Sequence, residues 1–519
     1  MKRVNTAALI IIILFILVYR VLPAISNAPV FSNDAWPLLA DAKYLLDHGS
    51  GQLIPCKGMP TCYYAYWPYP ALLTAIVSEI LATGLAWSTP VITIFETMLV
   101  LLSLFMIARL LPNRNSSVYI ILILLASLWF TNIFYSGFKA EMIAMPQLAL
   151  LAYLLSSFKS KRSFFIASFL VFSIVATHHF TTFLALTMIA GSAFYSIINH
   201  SAYSRKMILL AISSIIIAVI YYSAQGFIGL IKYYPPGFTE TLASYAVVLF
   251  VISAISRKFP RSLLYLIFAI VVLANILYLE SPRLLLGAPE PSISSFFLSL
   301  QLSPFLIIAV YGAYSLQRSG HPAYWVILAW CLATTSLVIY SFFDGAALLL
   351  GRGIIASSLP LAVLASAAFA TSKRNYQRIL LILGIAIASI SGIYIEMQPV
   401  FSSRNIFTSE SWYYSSSTIA DTANIVQFLN TGNTSIYAGK LSSLAFFYGQ
   451  QWIQPAPYGS AMNGIFVINR DDFTEKSEGF GFGIGLGEGW SAYQLNSLIV
   501  SNDLVYDSAM NYVTLVNYP

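Results

Sequence analysis

Runs of about 20 mostly apolar residues recur along this chain, each long enough to cross the hydrocarbon of a bilayer as one helix. They fall near 6–25, 90–111, 117–135, 141–158, 163–178, 180–198, 207–224, 239–256, 263–280, 295–316, 323–342, 353–371 and 378–396. No soluble core hides that many. Only 9% of the 519 residues are charged and 58% are hydrophobic, whereas a soluble globular chain carries about 25% charged residues. The chain therefore reads as a polytopic α-helical membrane protein. Its net charge of +7 does not indicate nucleic acid, because the position of the basic residues matters more than their sum.

Charge placement decides one ambiguous stretch, 68–87. If it stays on the outer surface, the inner segments hold sixteen of the twenty-seven Lys and Arg and no acid. If it spans, most basic clusters move outside, against the positive-inside rule. Pro68, Pro70 and Glu79 also suit an interfacial helix better than a lipid-embedded one. The expected layout is about 13 transmembrane helices, a cytoplasmic N-terminus and interfacial helices in the first outer loop, residues 26–89. All twenty acids then lie on the outer side or in outer portions of spans. An outer active site would produce that pattern, and so would a plainly acidic outer surface.

After Pro399 the long apolar runs stop. TSIYAGK, GIFVINRDD and NDLVYDSAMNYVTLVN alternate as strands, with a helix near STIADTANIVQFLN. Residues 1–398 are thus expected to form the membrane module and 399–519 a small extracytoplasmic α+β domain. Cys56 and Cys62, with five residues between them, are a candidate disulfide if their loop meets an oxidising compartment. Cys331 lies in an apolar run and reads as a packing residue.

Several ionisable residues sit next to outer span ends, where polar groups are costly. Asp34 follows the first span and precedes the amphipathic AWPLLADAKYLL. It reads either as a general base that takes a proton from a hydroxyl or as a helix N-cap. Glu141, in SGFKAEMIAMPQ, begins a helix and suits its dipole. Asp34, Glu141 and His178 are candidate ligands for Mg²⁺ or Mn²⁺. Lys139 is placed to meet a phosphate, or to anchor at the interface. His178 and His179 occupy a tight outer turn, as substrate contacts or as a turn cap. Lys232, Arg283 and Arg352 offer cations for a lipid phosphate, Arg352 through a bidentate guanidinium fork; pairing with Asp344 or Glu290 is the other reading of Arg352.

The first-loop acid in SNDAWPLLADAKYLL, the stretch YWPYPALLTAIVSEILATG, the second-loop SGFKAE and the late arginine in GRGIIASSLPLAVLASAA together resemble the GT-C class of integral membrane glycosyltransferases. That class includes protein mannosyltransferases and oligosaccharyltransferases. The ending DLVYDSAMNYVTLVN is similar to the terminal hairpin of archaeal membrane glycosyltransferases of this type. The resemblance implies a polyprenyl (dolichyl) phosphate-linked sugar as donor. It implies Asp34 as first-loop catalytic acid, Glu141 as second-loop acid and Arg352 as the arginine facing the lipid phosphate. The acceptor-reading WWDYG of the oligosaccharyltransferases is absent, and Lys139 stands where a companion acid is usual. The expectation is therefore inverting transfer of a single sugar to a lipid, glycan or protein on the outer face of the cell membrane. The alternative is a lipid-linked glycan flippase that cleaves no bond.

Overall fold

A computed structural model describes residues 6–26, 30, 35–49, 67–111, 138–158, 160–198, 203–224, 293–318, 323–344, 347–401, 419–421, 423–425, 436–438, 453–454, 464–469, 503–507 and 511–516. Within them lie twelve helices and five strands. The expected spans near 117–135, 239–256 and 263–280 lie outside the described residues, as do Asp34, Cys56, Cys62, Lys232 and Arg283.

The helices are α1 (Thr6–Ser26), α2 (Ala35–His48), α3 (Tyr69–Leu81), α4 (Leu85–Arg109), α5 (Ala140–Ser156), α6 (Lys161–Thr177), α7 (His179–Ile198), α8 (Ser204–Ala224), α9 (Ile293–Arg318), α10 (Ala323–Asp344), α11 (Ala347–Thr371) and α12 (Asn375–Phe401). Five described helices are long and apolar enough to cross a membrane: most or all of α4, α7, α8, α9 and α12. Their outward faces are apolar, which in water would be an aggregation hazard. On α12, Ile379, Leu383, Ile387 and Ile390 follow one helical stripe and all are exposed. Lipid is the solvent such a stripe requires. The chain is a membrane protein.

The chain divides into two compact units. The first comprises Met1–Val21, Ile94–Ser136 and Ala140–Gln398. Its apolar core draws on α1 and on the helices from α4 to α12. Small residues set the spacing where α9 meets α11: a Cβ on Gly312 would overlap the Leu364 carbonyl, and Ala365 and Ala368 beside it are fully buried. Close backbone approach through small residues is how membrane helices gain packing without a hydrophobic drive between them. Cys331 is buried in this core.

The second unit comprises Leu22–Thr93, Gly137–Lys139 and Pro399–Pro519. Here α2 packs on α3 through Ala42, Leu45, Ala71 and Ala75. The sequence explains the bounds of α3. Pro68 caps it and Pro70 fills a first-turn position, where a missing N–H costs nothing. Ala82 ends it in a left-handed conformation, φ 47° and ψ 41°, with N–H groups of Ala82 and Thr83 donating to Glu79 and Ser78 carbonyls. At 13 residues, α3 is about 20 Å long, short of the roughly 30 Å hydrocarbon.

The same unit holds a five-stranded sheet of β1 (Ile436–Ala438), β2 (Ile453–Gln454), β3 (Gly464–Asn469), β4 (Asp503–Asp507) and β5 (Asn511–Val516), in the order β2-β1-β3-β5-β4. β1 runs parallel to β2 and β3, whereas β3, β5 and β4 are antiparallel neighbours. The β4–β5 hairpin carries a register shift between Leu504 and Tyr506.

Candidate functional site

In the first unit, chemistry-bearing residues gather at one end of three packed helices. α5 and α6 have 17 residues each and pack together. A connection of only residues 157–160 joins them, so they run antiparallel and the end of α6 returns level with the start of α5. Glu141 occupies the first turn of α5 and is 6% exposed. Pro146, one turn on, has no N–H and so leaves the Met142 carbonyl without its helical donor. α7 also packs on α5, and His178 stands at the α6–α7 break. Lys139, half-buried, precedes α5 and belongs to the second unit.

His178 shows why the helices break there. Its backbone is extended, φ −163° and ψ 126°, and its N–H still donates to the Ile174 carbonyl, closing α6. Its ring then opens α7. The Thr181 N–H donates to Nδ1 at 3.4 Å, and the Thr181 hydroxyl lies 3.2 Å from the same nitrogen. A backbone amide only donates, so Nδ1 is the acceptor and the proton of the neutral ring sits on Nε2. The side chain is an N-cap made from a histidine. Because His178 is not helical, its ring approaches that of His179 to 4.8 Å, where a continuous helix would splay the pair by about 100°.

A hydroxyl relay braces the break from α8. Tyr222 donates to Thr182 Oγ1 at 3.0 Å, and Thr182 donates to the His178 carbonyl at 2.9 Å. Sequence reading missed Tyr222, since a tyrosine near a span end reads as an interfacial anchor.

In the second unit, the unforeseen residue is Asp41 on α2. It is 3% exposed, and neither carboxyl oxygen has a hydrogen-bond partner. Burial pushes its carboxyl well above the usual carboxylate range. The signal was present: Asp41 falls at the apolar spacing between Leu38 and Leu45, both buried.

Arg352 lies in the second turn of α11, which begins six residues before the expected edge of the apolar run, so the residue precedes the apolar part of the helix, Ile355–Thr371. A divalent cation takes several oxygen or nitrogen donors at once. Among the described residues no cluster of three or more His, Cys, Asp or Glu could hold one. Of the expected candidate ligands, Glu141 and His178 are described and Asp34 lies outside the described residues.

No protein-family model matches the chain, and no curated protein matches it. Solved structures do. The archaeal oligosaccharyltransferase AglB from Archaeoglobus fulgidus, in complex with an inhibitory peptide and a dolichol-phosphate, superposes with a TM-score of 0.57 at 13% identity, over 89% of this chain and 69% of that one. The apo form of the Archaeoglobus fulgidus oligosaccharyltransferase gives a TM-score of 0.54 at 12% identity, over 88% and 65%. Its complex with Zn and sulfate gives 0.52 at 10% identity, over 88% and 68%. At such identities a likeness speaks for architecture alone, and what it establishes is that this chain has the fold of the GT-C glycosyltransferases.

Proposed function

We propose that this protein is a membrane glycosyltransferase that moves a sugar from a polyprenyl phosphate to a lipid, glycan or protein acceptor, with Asp34 as general base. The observation that carries the reading is the shared GT-C fold over 89% of the chain. The relative of that fold was solved with a dolichol-phosphate, the chemical class of the proposed carrier. The absence of WWDYG favours a single sugar over sequon-directed transfer.

In this mechanism the acceptor hydroxyl loses its proton to the Asp34 carboxylate as its oxygen attacks the anomeric carbon. The bond from that carbon to the phosphate oxygen breaks, and its electron pair leaves with the polyprenyl phosphate. Attack opposite the leaving group inverts the anomeric centre. Arg352, with Lys232 and Arg283, stabilises charge building on the phosphate. Glu141, Lys139 and His179 contact the sugar or its phosphate, and His178 contributes an Nε2–H donor. Residues 399–519 form the extracytoplasmic domain that helps choose the acceptor.

The test is bond cleavage. Protein in lipid nanodiscs is given a polyprenyl phosphate carrying a radiolabelled sugar, together with a lipid extract as acceptor. Time-dependent release of free polyprenyl phosphate with label on a new product supports the reading. Movement of intact donor across a vesicle membrane without cleavage overturns it in favour of a flippase.

A further inference from the structure

Four cations gather at one end of α9, α11 and α12, where three apolar runs stop. The apolar part of α9 ends at Arg318, that of α11 ends at Thr371, and that of α12 begins at Asn375. Lys373 and Arg374 lie in the turn between α11 and α12, and Arg378 in the first turn of α12. Packing brings Arg318 to the same level. Phe297 of α9 stacks on Tyr394 of α12 with ring centroids 4.1 Å apart, and a Cβ on Gly384 would stand 3.0 Å from Ile308 Cδ1. These contacts set α9 and α12 antiparallel, with the last residue of α9 level with the turn at 372–374. The seam of Gly312 against Leu364 agrees, since Arg318 and Ala370 each lie six residues further on.

All four cations are exposed. Between Glu290 and Glu396 the only acid is Asp344, which ends α10 at the opposite side. Three of the four are held in place. Arg378 donates Nε–H and Nη2–H to the Ser372 carbonyl at 3.1 and 3.0 Å, which leaves both Nη1 protons for another acceptor. Arg374 Nη1 donates to the Tyr376 hydroxyl at 2.8 Å, and its guanidinium carbon lies 5.8 Å from that ring. Arg318 stands over the Tyr314 ring at 5.0 Å. Arginines that only anchor a span end keep many rotamers. Held ones have already lost that freedom, so an anion that meets them loses less on binding. Their remaining N–H groups suit the paired oxygens of a phosphate.

The surface beside the cations is apolar. Tyr376 is 54% exposed and begins the stripe of Ile379, Leu383, Ile387 and Ile390 along α12. Positive charge and then hydrocarbon follow one another on one helix face, in the order that complements a phospholipid. We propose that the α11–α12 turn, with Arg318, binds the headgroup of an anionic phospholipid whose chains lie along Tyr376, Ile379 and Leu383. The site faces the leaflet expected to be cytoplasmic, whose negative surface potential draws basic side chains. Sugar transfer plays no part in it.

The full chain in phosphatidylcholine nanodiscs is given a photoactivatable phosphatidylglycerol, and labelled residues are mapped by mass spectrometry. Labelling is expected at residues 376–387, displaced by excess phosphatidylglycerol and not by excess phosphatidylcholine. Lys373→Gln with Arg374→Gln should lower it about tenfold or more, with labelling elsewhere on the chain unchanged. Equal labelling by a photoactivatable phosphatidylcholine, or labelling unaltered in the double variant, overturns the proposal. Displacement by inorganic phosphate at constant ionic strength overturns it too, since the ligand would then be a soluble anion. If the double variant does not fold, a salt series on the wild type decides. Labelling that falls as salt rises supports the headgroup site, and labelling indifferent to salt refutes it.

Discussion

Tyr222 donates its hydroxyl proton to Thr182 across the α7–α8 contact at 3.0 Å, and through Thr182 it holds the carbonyl of His178. Removing that hydroxyl leaves Thr182 able to donate but takes away its acceptor role. Tyr222→Phe should cost about 1 kcal/mol of stability. It should lower transfer severalfold by loosening the α6–α7 break. Thermal unfolding in detergent and initial transfer rates check both.

His178 combines a cap with an imidazole donor, and two substitutions separate them. His178→Asn keeps a side-chain acceptor suited to an N-cap, so stability should stay near wild type while transfer falls if the ring contacts substrate. His178→Ala should lose about 1 kcal/mol as well. Equal activity in wild type and His178→Asn would reduce the residue to a cap.

Asp41 should make stability depend on pH. Burial holds its carboxyl above the usual carboxylate range, so the folded state keeps a proton that the unfolded chain releases. Below about pH 4 both states are protonated and nothing is lost. As pH rises beyond that, stability falls until the folded carboxyl itself titrates. Asp41→Asn removes the titration, so its stability should vary less between pH 4 and 8 and exceed wild type at the upper end. Unfolding midpoints across that range are the measurement.

Gly312 lies where a Cβ would meet the Leu364 backbone rather than a side chain that can turn away. Gly312→Ala should force α9 from α11 and cost about 1–3 kcal/mol. Gly84→Ala is the control, because its Cβ would meet nothing within 4 Å. Comparable loss in both variants would contradict the packing assigned to this seam.

The helices were legible because lipid imposes a length and a composition on each span. The expected runs near 141–158, 163–178 and 180–198 correspond to α5, α6 and α7 within a few residues. The strands in GIFVIN and in DLVYD–NYVTLV were equally plain from alternation and appear as β3, β4 and β5. Side-chain roles were less legible, since they depend on contacts between distant segments. Histidines 178 and 179 read as substrate contacts or a turn cap, and a cap is what His178 forms. The backbone break that brings the rings together follows from capping geometry that two residue names do not encode. Asp41 stands at the apolar spacing of an amphipathic run, and the structure shows that it is buried there.

The central claim is that Asp34 takes the acceptor's proton during sugar transfer from a polyprenyl phosphate. Its most direct test is the single-turnover transfer rate of Asp34→Asn in nanodiscs, beside wild type, with donor binding measured on the same samples. The account predicts a loss of a hundredfold or more, in the range general-base removal produces, with the fold and donor affinity retained. A rate equal to wild type would contradict it.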